Sequence, residues 1–248
     1  MSKIAIVTGG SRGIGAAICE RLAKDGVDIC VNYANDAAAA EAVADKCRAL
    51  GVRALPVKAD IASSAEVETL FGTVDETLGP STILVNNAGI IGRASRLADL
   101  DDATLQDVFA TNLFGATYCM RAAIARMSTR SGGTGGAIVN ISSIAATLGS
   151  PGEYVHYAAS KAALDAMTIG LSKEIGPEGI RVNSIQTGTT DTDIHRRTGN
   201  PDRPAMVAAT APLRRVAQPI DIAEAVAWLA SDAASYTTGA ILRVGGGL

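Results

Sequence analysis

Short apolar runs alternate with longer segments of helical period along nearly the whole chain. "KIAIVTGG" (3–10) is an unbroken apolar run ending in glycines, the pattern of a strand buried on both faces. "SRGIGAAICERLAKDG" (11–26) then places its apolar residues on one helical stripe and closes on Gly26. The pattern repeats: strand "VDICVNY", helix "DAAAAEAVADKCRALG", strand "VRALPVKAD", helix "SSAEVETLFGTVDETLG", strand "STILVNNAG". Pro56 weakens the third strand, and Ser63 or Ser64 suits the cap of the third helix. One long helix is expected over about 102–127, then a polar link "STRSGGTGG" and the strand "AIVNISS". A helix running to about Gly176, the strand "GIRVNSIQTG", the helix "PIDIAEAVAWLASD" and the strand "GAILRVGGG" complete the series.

Strands that alternate with helices build a doubly wound α/β fold. About seven parallel strands are expected in one sheet, with helices on both faces. The Gly-rich link is too short to divide domains, so residues 1–248 read as a single domain. One irregular stretch, 188–218, is rich in Thr, Arg, Asp and Pro. A connection that long inside a compact domain is usually functional, and it reads as a substrate lid. Its Asp191, Asp193, His195, Arg196, Arg197 and Arg203 could select a polar or anionic substrate, or could form a solvated loop.

Charge and cysteine usage narrow the partners. The formal net charge is -3, from 22 Lys+Arg against 25 Asp+Glu, so no basic excess exists to meet nucleic acid. No apolar run approaches the ~20 residues of a membrane span, and no signal-peptide core follows Met1. The four scattered cysteines form no C-x-x-C pair and read as reduced thiols of a cytoplasmic protein. With His156 and His195 the only histidines, no metal site is expected.

"TGGSRGIG" sets Gly9, Gly13 and Gly15 between the first strand and the first helix. Glycines there permit a tight turn and close backbone approach to a pyrophosphate, and the helix N-terminus attracts its charge. The bland reading is a plain strand–helix turn. In dinucleotide folds an acidic residue about 20 positions on holds the ribose 2′-hydroxyl of NAD. Here the second strand ends at Asn32 and Tyr33 without a carboxylate, and Asp36 lies three residues later. Arg12 in the turn could reach a 2′-phosphate. Both features favour NADP over NAD.

"YVHYAASK" places Tyr157 and Lys161 at i and i+4, on one helix face. They could be two unrelated surface side chains. They also suit carbonyl reduction, in which hydride transfer leaves a developing alkoxide that needs a proton. A free tyrosine, with a pKa of about 10, is too weak an acid to cycle easily at neutral pH, and a fixed cation beside it favours phenolate. A serine at the end of the neighbouring strand could donate to the same oxygen. Ser143 is preferred to Ser142 for that role. Tyr154 is expected as a pocket wall and His156 at the surface.

Five motifs now stand in order: "TGGSRGIG", "NNAG" (86–89), "TN" (111–112), "NISS" (140–143) and "YAASK" (157–161). Together they resemble the short-chain dehydrogenase/reductase family over nearly the whole chain. The first motif looks most like 3-oxoacyl-[acyl-carrier-protein] reductases, and the stretch before "YAASK" more like sugar-type bacterial oxidoreductases of that family. The resemblance implies a Rossmann-like fold and an NAD(P)-dependent oxidoreductase acting on a ketone or secondary alcohol, assembled as a homotetramer or homodimer. It implies that Tyr157 is the general acid/base, that Lys161 binds the nicotinamide ribose and lowers the tyrosine pKa, that Ser143 holds the substrate oxygen, and that Asn112 binds a relay water. Asp60 would contact the adenine. Gly9, Ser11, Arg12, Gly13, Ile14 and Gly15, with Asn32, Tyr33, Ile61, Asn87, Ala88, Gly89, Gly188 and Thr189, would complete the cofactor cleft.

The chain departs from the family pattern in two further places. One extra residue between Ser143 and Tyr157 is expected to be absorbed in the loop near Gly149–Gly152. Thr187-Gly188 stands where Pro-Gly is usual, which predicts a less rigid turn. A nucleotide-binding regulator without catalysis, an NAD-linked sugar or polyol dehydrogenase, and a methyltransferase are the competing readings. The methyltransferase would leave "YAASK" without a role.

Overall fold

The computed structural model describes residues 3–192 and 203–248. Seven parallel strands form one sheet in the order β3-β2-β1-β4-β5-β6-β7. They are β1 (Ile4–Val7), β2 (Asp28–Tyr33), β3 (Ala54–Lys58), β4 (Ile83–Asn86), β5 (Gly136–Ser143), β6 (Ile180–Thr187) and β7 (Ile241–Val244). The order reverses between β1 and β4, so a crevice opens at the carboxyl ends of those strands, where doubly wound sheets bind ligands.

Alternation along each strand fills two cores. Ala5 and Val7 of β1 with Ile29 and Val31 of β2 face α1 (Gly13–Lys24), α2 (Ala37–Ala49) and the late helix Pro219–Ala230. Ile4, Ile6 and Cys30 face the other way, toward α3 (Ser64–Thr77), α5 (Ala116–Met127) and α7 (Val155–Ile175). Both faces of the sheet are therefore covered, which is why its strands read as continuous apolar runs. Pro56 is accommodated because β3 is an edge strand: it pairs only with β2, opposite Val31. All four cysteines are buried and unpaired. None of the described helices is long and apolar enough to cross a membrane.

Two expectations need correction. The helix expected over 102–127 is not continuous. After α4 (Asp102–Phe109) the chain widens into a π-helical turn, Ala110–Gly115, before α5 resumes. The turn is fixed from outside: a Cβ on Gly115 would lie 2.9 Å from Ile61, and Asn112 is tied to Ile90. Such wide turns commonly mark functional sites. Nor is 188–218 wholly irregular. It contains the helix α8 (Arg203–Thr210), and its two ends are joined where Thr189 and Asp191 bond Ala217. Asp193, His195, Arg196 and Arg197 lie outside the described residues, as does the side chain of Arg203. The remaining helices are α6 (Ala145–Leu148) and α9 (Pro219–Ala230).

Candidate active site

One cleft of about 980 Å³ runs over the carboxyl ends of the strands. It joins the Gly-rich turn at one end to Ser143, Tyr157 and Lys161 at the other. Of the catalytic and cofactor-binding residues expected from the sequence, all line this cleft except Asn112, which braces it from behind.

The Gly-rich turn is shaped by close contacts. Gly9 and Gly13 have φ of 61° and 54°, a conformation open chiefly to glycine. A Cβ on Gly9 would stand 3.0 Å from the Ala88 backbone, and one on Gly15 would collide with the Gly9 carbonyl. This leaves a cradle at the N-terminus of α1, where free N–H groups face the cleft. Arg12 is the exposed residue immediately before α1, and Ser11 is buried beneath it. Asn87 braces the turn by donating to the Thr8 and Gly9 carbonyls at 2.9 and 3.1 Å.

Asn32 is a brace as well. Its side chain accepts from Gly9 N and donates to the Val57 and Ala59 carbonyls, so it ties the tips of β1, β2 and β3 together. Tyr33 and the exposed Asp60 and buried Ile61 form the wall beside it, with Asp60 accepting from Ala62 N. Asp36 does not enter the cleft lining. It caps α2 by accepting from Ala39 N at 3.0 Å. The charged side chains lining the cleft, among the described residues, are Arg12, Asp60, Arg93, Lys161 and Asp191.

At the far end, β5 and α7 meet. Ser142 and Ser143 point differently, as neighbours on a strand must. Ser142 donates to the Lys161 carbonyl, whereas Ser143 stays at the cleft and accepts from Ala145 N. Lys161 is almost fully buried, and its Nζ donates to the Ile141 carbonyl at 2.8 Å. The ammonium stands 5.9 Å from the centre of the Tyr157 ring. Desolvation by burial pulls the Lys161 pKa down to about 8, and the charge of Asp165 opposes that fall. Gly89 is needed beside it, since a Cβ there would come within 3.3 Å of Nζ.

Asn112 makes three side-chain bonds. It accepts from Ile90 N at 2.8 Å and donates to the Ile90 carbonyl and Ser160 Oγ. Its amide is thus committed to holding the loop after β4 against α7. His156 corrects an expectation: it is buried, with Nε2 3.0 Å from the Ile91 carbonyl. Gly92 makes the room, because a Cβ there would sit 3.0 Å from that nitrogen. Tyr154 is the buried pocket wall expected of it. Thr187 adds a tie that proline could not make, donating from Oγ1 to the Ser142 carbonyl at 3.0 Å. In the loop before Tyr157, Gly149, Ser150 and Gly152 all have positive φ.

Sequence reasoning missed Thr190 and Thr192, which line the cleft with Thr189 and Asp191, and a Cβ on Gly13 would stand 3.3 Å from the Thr192 methyl group. The hydroxyl-rich "TGTTDT" directly after a strand was the available signal. Ile90, Ile91, Ile144 and Leu148 were also missed, and they add apolar side chains to the lining of the cleft.

Known proteins share this architecture from end to end. A family model described as "Enoyl-(Acyl carrier protein) reductase" matches residues 9–248. An uncharacterized oxidoreductase, YgfF of Escherichia coli, is 43% identical over 98% of this chain and 99% of its own. The 3-oxoacyl-[acyl-carrier-protein] reductase FabG of Staphylococcus aureus is 37% identical over 100% of this chain and 98% of its own. Among solved structures, a blue fluorescent protein from a metagenomic library in complex with NADPH superposes with a TM-score of 0.90. It has 38% identity, covering 99% of this chain and 97% of that one. A short-chain type dehydrogenase/reductase from Mycobacterium marinum gives 0.92 at 31% identity, covering 99% and 94%. The chain belongs to the short-chain dehydrogenase/reductase family of NAD(P)-dependent oxidoreductases.

Proposed function

We propose that the protein is an NADP-dependent oxidoreductase that interconverts a ketone and a secondary alcohol, with Tyr157 as general acid/base. The observation that carries this reading is one cleft joining a glycine cradle to the Ser143–Tyr157–Lys161 cluster. The cradle fits a pyrophosphate because its turn is built tight from glycines at the α1 N-terminus: a Cβ on Gly15 would collide with the Gly9 carbonyl and force the turn open. When bound, the nicotinamide cofactor supplies the hydride. Arg12 and the α1 N-terminus would hold the phosphates, Asp60 and Ile61 would border the adenine, and Lys161 would meet the ribose hydroxyls.

The chain's own part in the chemistry is proton handling. Ser143 Oγ donates to the substrate oxygen and fixes its place. Tyr157 Oη gives that oxygen its proton in reduction and takes it back in oxidation. Lys161 stabilises the phenolate left behind. Because the Asn112 amide is committed to Ile90 and Ser160, a relay water would sit on its main-chain carbonyl at the wide turn. The apolar wall of Ile90, Ile144 and Leu148 suits an alkyl or acyl ketone better than a polyol. Residues 188–218, entering through Thr189 and Thr190, act as the substrate-side lid of a single domain. The four unpaired buried thiols fit a reducing, cytoplasmic compartment. Exposed Phe114, Ile169 and Trp228 fit self-association as a dimer or tetramer.

NADP is favoured over NAD by Arg12 at the adenosine end and by the absence of a carboxylate at the β2 tip among the cleft-lining residues. Titration with NADPH and NADH, followed by nicotinamide fluorescence, tests this. Tighter NADPH binding that falls by about 10–100-fold in Arg12→Ala, with NADH unchanged, supports it. Equal binding of the two in the wild type overturns it.

A further inference from the structure

Tyr157, Lys161 and Asp165 are spaced four residues apart along α7 and so share one stripe of the helix. The first two face the cleft. Asp165 lies one turn behind them, 8% exposed, against β6. Its carboxylate accepts from Ser184 Oγ at 2.7 Å and from Gln186 Nε2 at 2.8 Å. Both donors are uncharged. A buried carboxylate held only by neutral donors keeps its full field, and burial normally selects against such a group.

We propose that Asp165 is a positioning residue of the active site: its carboxylate, fixed by Ser184 and Gln186, holds Lys161 in the ammonium form that serves Tyr157. The proposal rests on the reading of Tyr157 and Lys161 given above. Lys161 needs such help, since burial favours its neutral form. The other groups around it cannot give it. Ile141 and Ser142 approach from β5, Gly89 from the loop after β4, and Asn112 from the wide turn, and all are neutral. Tyr157 on the same helix helps only once it has lost its proton. A carboxylate at the front of the ammonium would pair with it and block the ribose and the phenol. Asp165 supplies the charge from behind and leaves the front open.

The field of Asp165 is itself protected. Facing it are Ser184 and Gln186 from β6, then Arg243 of β7 one step further out, donating to Gln186 Oε1 at 3.3 Å. Arg243 also donates to Thr147 of α6 at 2.7 Å, and it reaches Asp165 through Gln186 rather than by a direct ion pair. Gln186 thus orients Asp165 without neutralising it.

The test reads the charge of Lys161 directly. With lysine Cε labelled by 13C, the chain gives few resonances, and the one lost in Lys161→Met belongs to Lys161. In the wild type it should titrate near 8. In Asp165→Asn it should bind its proton about tenfold more weakly, and the alkaline limb of the NADPH-linked pH–rate profile should move down with it. Asp165→Glu should restore much of the proton affinity. An unchanged Lys161 titration in folded Asp165→Asn overturns the proposal. If that variant does not fold, 13C-labelled aspartate in the wild type decides: a protonated Asp165 at neutral pH overturns the proposal, and an ionised one supports it. The titrations need no turnover. A protein that binds no cofactor would therefore refute the oxidoreductase reading and leave this result separate.

Discussion

Lys161 lies with its ammonium 5.9 Å from the centre of the Tyr157 ring and is anchored to the Ile141 carbonyl at 2.8 Å. Position and charge are therefore set before any substrate arrives. Burial lowers its pKa from the usual 10.5 to about 8. Between those values the unfolded chain binds more protons than the folded one, so this group makes stability rise with pH across that window. The cation buried below pH 8 costs about 3 kcal/mol. Denaturant titrations of wild type and Lys161→Met should show the wild type gaining about that much relative to the variant from pH 7 to 11. Function runs the opposite way, and carbonyl reduction should fall above pH 8 as the ammonium is lost. A flat stability difference would place the Lys161 pKa at its ordinary value.

Glycines in this chain divide by what surrounds them. A Cβ on Gly15 would meet the Gly9 carbonyl and the Asn87 amide, both held in place. Gly15→Ala should lower stability by about 1–3 kcal/mol and weaken NADPH binding by at least tenfold or so. Gly72 in α3 has nothing within 4 Å of its would-be Cβ. Gly72→Ala should raise stability by about 0.5–1 kcal/mol and leave binding alone. Thermal melts and fluorescence titrations of the two variants check both.

Asn112 holds Ile90 by its N–H and its carbonyl together. Asn112→Ala leaves those groups and Ser160 without their partner. It should cost about 2–3 kcal/mol and lower Tm by roughly 5–10 °C. The loss should carry into cofactor binding, because Gly89 lies between the Asn112 side chain and the Lys161 ammonium, with both close to it. A variant with wild-type melting but impaired turnover would assign Asn112 to chemistry alone.

The strands and helices were legible because a parallel sheet buries both faces, so its strands read as short continuous apolar runs distinct from the period-3.6 stretches between them. Tyr157 and Lys161 were legible because four residues is one helical turn. What stayed hidden depends on distant partners. Nothing local says that Asn32 joins three strand tips, that His156 turns inward to Ile91, or that Asp165 meets Ser184 and Gln186. The break in 110–115 was equally invisible, since "ATNLFG" has ordinary helical character and the cause is Ile90 and Ile61 in other segments.

The central claim is that Tyr157 moves the proton in an NADPH-linked carbonyl reduction. Single-turnover mixing of NADPH-loaded protein with a panel of apolar ketones and a 3-oxoacyl thioester tests it most directly. The account predicts ketone-dependent loss of NADPH in the wild type, and in Tyr157→Phe a rate about 10²–10⁴-fold lower with NADPH affinity retained. Equal rates in the two proteins, or no NADPH consumption with any carbonyl despite tight binding, would contradict it.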